Sequence, residues 1–394
     1  MHGVLRLAQL RSTRWFSSAS TFTKLALTQQ NRVTFQAGDA MRTDLVIVPV
    51  VISDDFALSI SDKTTDVHNL VTIKQDNAAL HIVKHSVSDC KLELRLPQTV
   101  SLNVTVANGS VTLKDKMEGD IKVVMGRGDI KVDKVRGSDV SFKTNGGQIH
   151  VFTLMEGETV RLEASESINC KRLMARKAEV RLGNGEALSS SFGAIYAETC
   201  NIMSANQSGQ SKLCVGNVHG YLRVSSEGLD SIEIGSVSGT LEMEDSGPAC
   251  RVNAHFDSWT NEASSSVLVS GDVRVSLEPA AAINVELHGK EITISKDCVF
   301  TSSEREQLEE DFAVFTGKLC AQEKAILASS DSTGKINVKC AKEDAMRTSF
   351  FMKDSVADDT KDDKTPRLLV HSLRGNVMLD QLNWMDNIKR HLKQ

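Results

Sequence analysis

The chain has 394 residues, with 46 Lys+Arg against 51 Asp+Glu and a formal net charge of −5, a balance that excludes a general nucleic-acid binder. Hydrophobic residues make up 40%, yet the longest uncharged apolar run, LVIVPVVI at 45–52, is far short of the roughly 18 residues a spanning helix needs, so no membrane span is expected. Only 5 Pro and 5% aromatics, beside many Val, Ser, Thr and Gly, predict short strands and turns rather than helices or disorder.

Taken in chain order, the first feature is an address. The first acidic residue is Asp39, and residues 1–16 carry Arg6, Arg11 and Arg14 among leucines and hydroxyl residues, the composition of a mitochondrial transit peptide. Val4, Leu5, Leu7 and Leu10 share one face of a helix. Arg6, Gln9, Arg11 and Arg14 break every apolar window of the roughly 7 to 15 residues that a secretory signal requires. Arg14-Trp15-Phe16-Ser17 resembles a site for the matrix processing protease, which leaves Ser17 first. The expected address is therefore the mitochondrial matrix, with residues 17–30 as a linker.

Residues 31–98 alternate, as in Leu45/Ile47, Leu58/Ile60, Val71/Ile73, Leu80/Ile82 and Leu92/Leu94, and are expected to begin a β-structure. From about residue 99 a stricter unit appears, apolar-x-apolar, the mark of a short strand with one buried face. It recurs at Val111/Leu113, Ile121/Val123, Ile130/Val132, Val140/Phe142, Ile149/Val151, Val160/Leu162 and Ile168/Cys170, then at Leu213/Val215, Leu222/Val224, Ile232/Ile234 and Leu241/Met243. Every second unit is preceded by an apolar-x-Gly corner, ending at Gly119, Gly137, Gly157, Gly220 and Gly239, so the full repeat is about 19 residues. The gap from Gly157 to Gly220 leaves room for about three degenerate turns, and a recurring corner glycine suggests positive φ. Two strands per period predict an all-β protein, a β-solenoid of stacked coils over 99–300, each coil relying on its neighbours for burial. An antiparallel meander or sandwich is the competing architecture. An alternating corner favours the solenoid.

The run LRLPQTVSLNVTVANGSVTL at 94–113, the apolar-x-Gly corners and GDIKV together resemble a domain family of unknown function labelled adhesin-like. The whole layout resembles the animal family with sequence similarity 185 member A. The resemblance covers about 90–300 well and the ends weakly; it implies a β-solenoid-like fold and brings no catalytic residues with it.

Residues 301–394 are expected to continue as a C-terminal β-segment. Ser303 and Glu306 in SSEREQLEED offer a capping box, which predicts a short acidic helix at 302–311 ahead of a strand from Phe312 to Leu319. KDSVADDTKDDKTP at 353–366 reads as an exposed acidic loop. RLLVHSLRGNVMLD supplies one more strand and a corner at Gly375, and Leu382, Met385, Ile388 and Leu392 predict a short terminal helix that covers an open end of the stack.

No constellation marks chemistry, and no catalytic, cofactor-binding or metal site is assigned. Cys90, Cys170, Cys200, Cys214, Cys250, Cys298, Cys320 and Cys340 form no CxxC and are expected as buried, reduced thiols, with Cys170 in the core. His81 and His85 stand four apart, but within alternating strand residues. Gly183-Asn-Gly185 has Leu188 where a dinucleotide loop needs glycine, and neither TGK, at 316–318 or 333–335, completes a phosphate loop. Asp354, Asp358, Asp359, Asp362 and Asp363 lack calcium-loop spacing. Arg127-Gly128-Asp129, the tripeptide that integrins read, falls at a repeat corner and is expected to serve the turn. Sequons begin at Asn103, Asn108 and Asn206 and matter only for a secreted chain.

The expected function is that of a noncatalytic mitochondrial solenoid, an interaction or structural module for a protein partner, without cofactor. A secreted or surface adhesion protein and a β-helix enzyme are the alternatives.

Overall fold

The computed structural model describes residues 24–26, 31–39, 41–51, 56–60, 67–76, 79–85, 88–183, 188–205, 211–259, 263–321 and 365–391. The N-terminal elements are β1 (Lys24–Ala26), β2 (Arg32–Ala37), β3 (Thr43–Val50), β4 (Ala57–Ile60), α1 (Val67–Leu70), β5 (Val71–Gln75), β6 (Leu80–Lys84) and β7 (Cys90–Pro97). The body comprises β8 (Ser101–Glu118), β9 (Ile121–Arg127), β10 (Ile130–Thr144), β11 (Ile149–Ala164), β12 (Ile168–Leu182), β13 (Ser189–Ser204), β14 (Ser211–Ser226) and β15 (Leu229–Asp245). Then come β16 (Arg251–Ser258), β17 (Ser264–Val269), β18 (Val273–Leu277), β19 (Asn284–Gly289) and β20 (Ile292–Ile294). The chain closes with β21 (Phe300–Glu309), β22 (Phe312–Leu319), β23 (Arg367–Ser372), β24 (Val377–Gln381) and α2 (Trp384–His391).

The body is a parallel β-solenoid. Each long strand from β10 to β15 bends once, so its first half stacks in one face and its second half in the other. In the first face Ile130, Ile149 and Ile168 lie in register; in the second, Val140, Val160 and Ala178 do. All residues of the apolar-x-apolar units point between the two faces and are at most 3% exposed. Stacking in register lets each coil bury its apolar side against the next, which no coil of this thinness could do alone. The hydrophobic core is continuous from Val33 to Leu379.

The degenerate stretch contains three coil steps, as the spacing predicts. Gly157 pairs with Ala175, Ala175 with Ala197, and Ala197 with Gly220, so alanine takes the corner in two coils. Core positions there are Ala178/Val180, Ser190/Phe192 and Cys200/Ile202, too small or too polar to read as strand units. Ser190 is buried because its hydroxyl oxygen accepts the Ile168 N–H at 3.1 Å. Four of the five corner glycines are required, on two grounds, while Gly157, with no positive φ and its nearest Cβ contact at 3.1 Å, is not. Gly119, Gly220 and Gly239 adopt positive φ, whereas at Gly137 the demand is space, since a Cβ there would sit 2.2 Å from the Gly119 carbonyl oxygen.

Both ends depart from simple winding. β2 and β3 lie between the β6/β7 coil and β8, although β6 and β7 follow them in sequence. At the other end β23 enters between β17 and β19, and β24 between β18 and β20, so the last coil made is the second from the end. Antiparallel strands close the stack, β4 on β7 and β5 on β6 at one end, β22 on β19 and β21 on β22 at the other.

Two expectations about the C-terminal part are corrected. Residues 302–311 form no helix; Phe300–Glu309 is strand β21, because antiparallel pairing with β22 satisfies its backbone and outweighs the weak capping box. The terminal helix forms, but it touches the flank of the stack rather than an end: the Asn387 side-chain amide donates to the Gly235 carbonyl at 2.8 Å. The predicted strand Phe312–Leu319 is β22. The acidic loop at 353–366 lies outside the described residues except for its last two.

Among the described residues β21 pairs with β22 alone and is exposed along nearly its whole length, with Glu304, Arg305 and Glu306 on an open edge. Charged residues on an open strand discourage further strand addition. Replacing these three with valine is expected to produce concentration-dependent oligomers by light scattering; a variant that stays monodisperse would show that the edge is protected by something other than charge.

Candidate functional site

Outside the core, the repeat writes rows of side chains along both faces. Opposite charges stack on neighbouring coils: Arg136 on Glu156 at 2.9 Å, Lys143 on Glu163 at 2.8 Å and Arg161 on Asp139 at 2.8 Å. All are substantially exposed, so each adds at most about 1 kcal/mol, and together they fix register more than stability. A hydrogen bond from the Lys177 ammonium holds the Glu179 carboxyl below the ordinary carboxylate range. At the corner Tyr196 stacks on His219 with ring centres 4.5 Å apart and planes within 2°.

The second face forms a recess of about 900 Å³ near the C-terminal end, lined by polar, charged and apolar groups. Register places Glu242, Ser266, Leu369, Glu286, Thr316 and Glu304 in one row across it. Lys318 and Arg367 stand in the neighbouring row, so the floor carries both signs of charge.

The motifs weighed in the sequence settle as follows. His81 is on strand β6, with Nε2 3.2 Å from Asp76 Oδ2, and no helix brings His85 to it. Arg127-Gly128-Asp129 is a corner between the faces: Gly128 has φ +125, and the Asp129 carboxylate accepts the Gln148 N–H at 3.1 Å. Thr316-Gly317-Lys318 is part of β22. Asn103 and Thr105 are both exposed on β8, whereas Ser110 of the second sequon donates its hydroxyl hydrogen to Asp44 Oδ1 at 2.7 Å. Asn206, Asn184, Gly185, the TGK at 333–335 and Cys340 lie outside the described residues, as do Asp354, Asp358, Asp359, Asp362 and Asp363. Cys170 is in the core as expected, with Cys200 and Cys250, whereas Cys90, Cys214, Cys298 and Cys320 are only half-buried, contrary to expectation; burial pushes the Cys170 and Cys200 thiols up to about 12, which removes them as nucleophiles near neutral pH.

One cluster is assembled by the fold and unmarked in the sequence. His255 and Asp257 project from the outer side of β16, opposite to Val252, Ala254 and Phe256, which point into the core. The pairing of Phe256 with Leu277 continues to set Glu278 beside Asp257 on the next coil, with the Glu278 N–H donating to the Phe256 carbonyl at 2.9 Å. His255 is 1% exposed although it faces outward, and its ring contacts Ser276 Oγ through Nδ1 at 2.9 Å and Asp257 Oδ1 through Nε2 at 2.8 Å. Desolvation, and after it the Asp257 charge, raises the Glu278 carboxyl above its ordinary range. The signal for this cluster is present only when the sequence is wrapped at the coil length: Asp257 and Glu278 are 21 residues apart, close to one period.

No curated protein matches the chain. A solved structure from Bacteroides fragilis, called a "putative adhesin", is 13% identical with a TM-score of 0.33 and covers 62% of this chain and 98% of its own. Another, from Clostridium sporogenes and called a "putative cell adhesion protein", is 9% identical with a TM-score of 0.16, covering 92% and 100%. The family model described as Toastrack DUF4097 matches residues 22–311, from β1 through β21. A match over that much of the chain makes this protein a member of the Toastrack DUF4097 family.

Proposed function

We propose that the chain is a noncatalytic interaction module that holds a protein partner against the outer rows of its solenoid. The observation that carries this reading is the row across the second face, where stacked coils hold polar and charged side chains in fixed register over a recess of about 900 Å³. A rigid repeated surface loses little entropy when a partner docks, which suits recognition. Its address is the mitochondrial matrix, on the strength of the arginine-rich, acid-free start and the Arg14 to Ser17 processing pattern. The likeness of layout to the animal family with sequence similarity 185 member A belongs to the same proposal.

A surface adhesion role is the second reading, and the observation that favours it is the exposed sequon at Asn103 and Thr105. One sample separates the two. Intact mass and protease protection of isolated mitochondria should give a chain starting near Ser17 and shielded inside; a full-length chain glycosylated at Asn103 and outside mitochondria would replace the first address with the second. A photo-crosslinker at Ser266 in the recess is expected to trap a discrete protein, whereas one at Lys131 on the other face traps none. Equal labelling, or none from Ser266, would overturn the recess as the working surface.

A further inference from the structure

His255, Asp257 and Glu278 differ from a scatter of surface acids. One donor atom of each lies within 4.8 Å of the other two, and the set joins an imidazole to two carboxylates. The imidazole is 1% exposed and oriented by an outer hydroxyl, Ser276 Oγ, at 2.9 Å. Asp257 is oriented too, since its Oδ2 takes a hydrogen bond from the Ser236 hydroxyl on the previous coil. Ligand side chains held by outer partners are the usual construction of a metal centre, because the partner sets both the tautomer and the direction of the ligand.

The chemistry of the donors narrows the ion. Imidazole nitrogen favours transition cations over magnesium or calcium, and one nitrogen with two carboxylate oxygens suits a borderline ion such as zinc, which binds tetrahedrally at about 2.0–2.2 Å and so needs its donors about 3.3–3.6 Å apart. The His255 to Asp257 separation of 2.8 Å is about half an ångström short of that, so the pair opens slightly to admit the ion, and a Glu278 oxygen already lies within 4.8 Å of both donors. Without a cation, parallel stacking holds two carboxylates side by side on adjacent coils. A divalent ion removes that repulsion.

We propose that His255, Asp257 and Glu278 bind a divalent transition cation of the zinc class, which staples β16 to β18. The position gives the staple a purpose. β18 is the strand on which the inserted C-terminal strand β24 is laid, with Ser276 beside Asp380 and Arg274 donating to Asp380 Oδ2 at 2.8 and 3.0 Å. Fixing β18 to the body therefore fixes the seat of the last coil.

The test uses the full chain, freed of metal with a chelator and then titrated with Zn2+ by calorimetry, with Mn2+ as a second probe that thiols do not attract. Thermal unfolding is followed on the same samples with and without Zn2+. The wild type is expected to bind Zn2+ and melt higher with it. Glu278→Gln, which keeps the shape, should lower Zn2+ affinity at least about tenfold and abolish the thermal shift. The same substitution should leave the metal-free protein at least as stable as the wild type, because it removes one of two stacked like charges. Asp257→Asn should lose binding as well; if it folds poorly, Glu278→Gln carries the test alone. Wild-type affinity in Glu278→Gln would mean that the zinc is held elsewhere, by thiols or other acids, and no binding by the wild type would leave His255 and Asp257 as a plain structural contact; either result overturns the site.

Discussion

Deleting residues 365–394 is expected to unfold the C-terminal coils while the body from β8 to β15 stays folded. The deleted coil is not a tail. β23 lies between β17 and β19, and β24 between β18 and β20, so its loss leaves four strands with unpaired edges inside the stack. Leu368, Val370, Val377 and Leu379 are each at most 1% exposed, and burying such side chains is worth about 1.5–3 kcal/mol apiece, roughly 6–12 kcal/mol in all. That is comparable to the whole net stability of many domains. Limited proteolysis with mass analysis should show new cleavage between 246 and 321 and continued protection of 101–245. Unchanged protection throughout would show that β17 and β18 close directly on β19 and β20, so that the insertion is dispensable. The same topology gives a kinetic expectation: coils at the C-terminal end finish only after the last strands are made, because their pairing partners are separated from them by about a hundred residues, as between Val273 and Val377.

How much of this was legible depends on which interaction a residue serves. The core was legible because burial on a strand follows a period of two, and every apolar-x-apolar unit read from the body is buried. The coil period was legible where glycine is forced, at Gly119, Gly220 and Gly239 by positive φ and at Gly137 by the carbonyl beneath it. It faded between 157 and 220, where Ala175 and Ala197 suffice at the corner and Ser190 and Cys200 line the core. Order of stacking was not legible at all. Nothing local in Arg367–Ser372 says that it pairs with residues a hundred positions earlier rather than following β22, since parallel pairing reads the same from either neighbour. The acidic segment at 302–311 misled because a capping box is a local signal worth about 1 kcal/mol, less than a full antiparallel ladder contributes. The candidate metal site was hidden for the same reason as the stacking order. His255 and Asp257 are near in sequence, but Glu278 joins them only through the register of β16 with β18.

The second large effect concerns the corner that carries Arg127-Gly128-Asp129. Substituting Gly128→Ala is expected to cost at least about 3 kcal/mol, because the backbone is in a region that L residues rarely adopt and the position is sealed from both sides. Gly128 has φ +125, and a Cβ there would stand 1.7 Å from the Gly109 carbonyl oxygen of the coil before. On the coil after, the space is equally taken, as a Cβ on Gly147 would lie 2.2 Å from the Gly128 carbonyl oxygen. The Gly128 N–H donates to the Gly146 carbonyl at 2.6 Å and its own carbonyl accepts the Thr144 hydroxyl at 2.8 Å, so neither flanking peptide can tilt away without breaking a hydrogen bond. Urea unfolding of Gly128→Ala against the wild type measures the cost; a change below about 1 kcal/mol would mean that the corner relaxes into an ordinary φ. The companion variant is Arg127→Ala, an exposed side chain whose removal should alter stability by no more than about 0.5 kcal/mol. The pair separates two explanations that a single substitution confounds. If cell adhesion depended on the tripeptide as a recognition signal, both variants would lose it at equal protein stability; if the glycine serves the fold, only Gly128→Ala changes anything, and it does so by unfolding a corner of the solenoid.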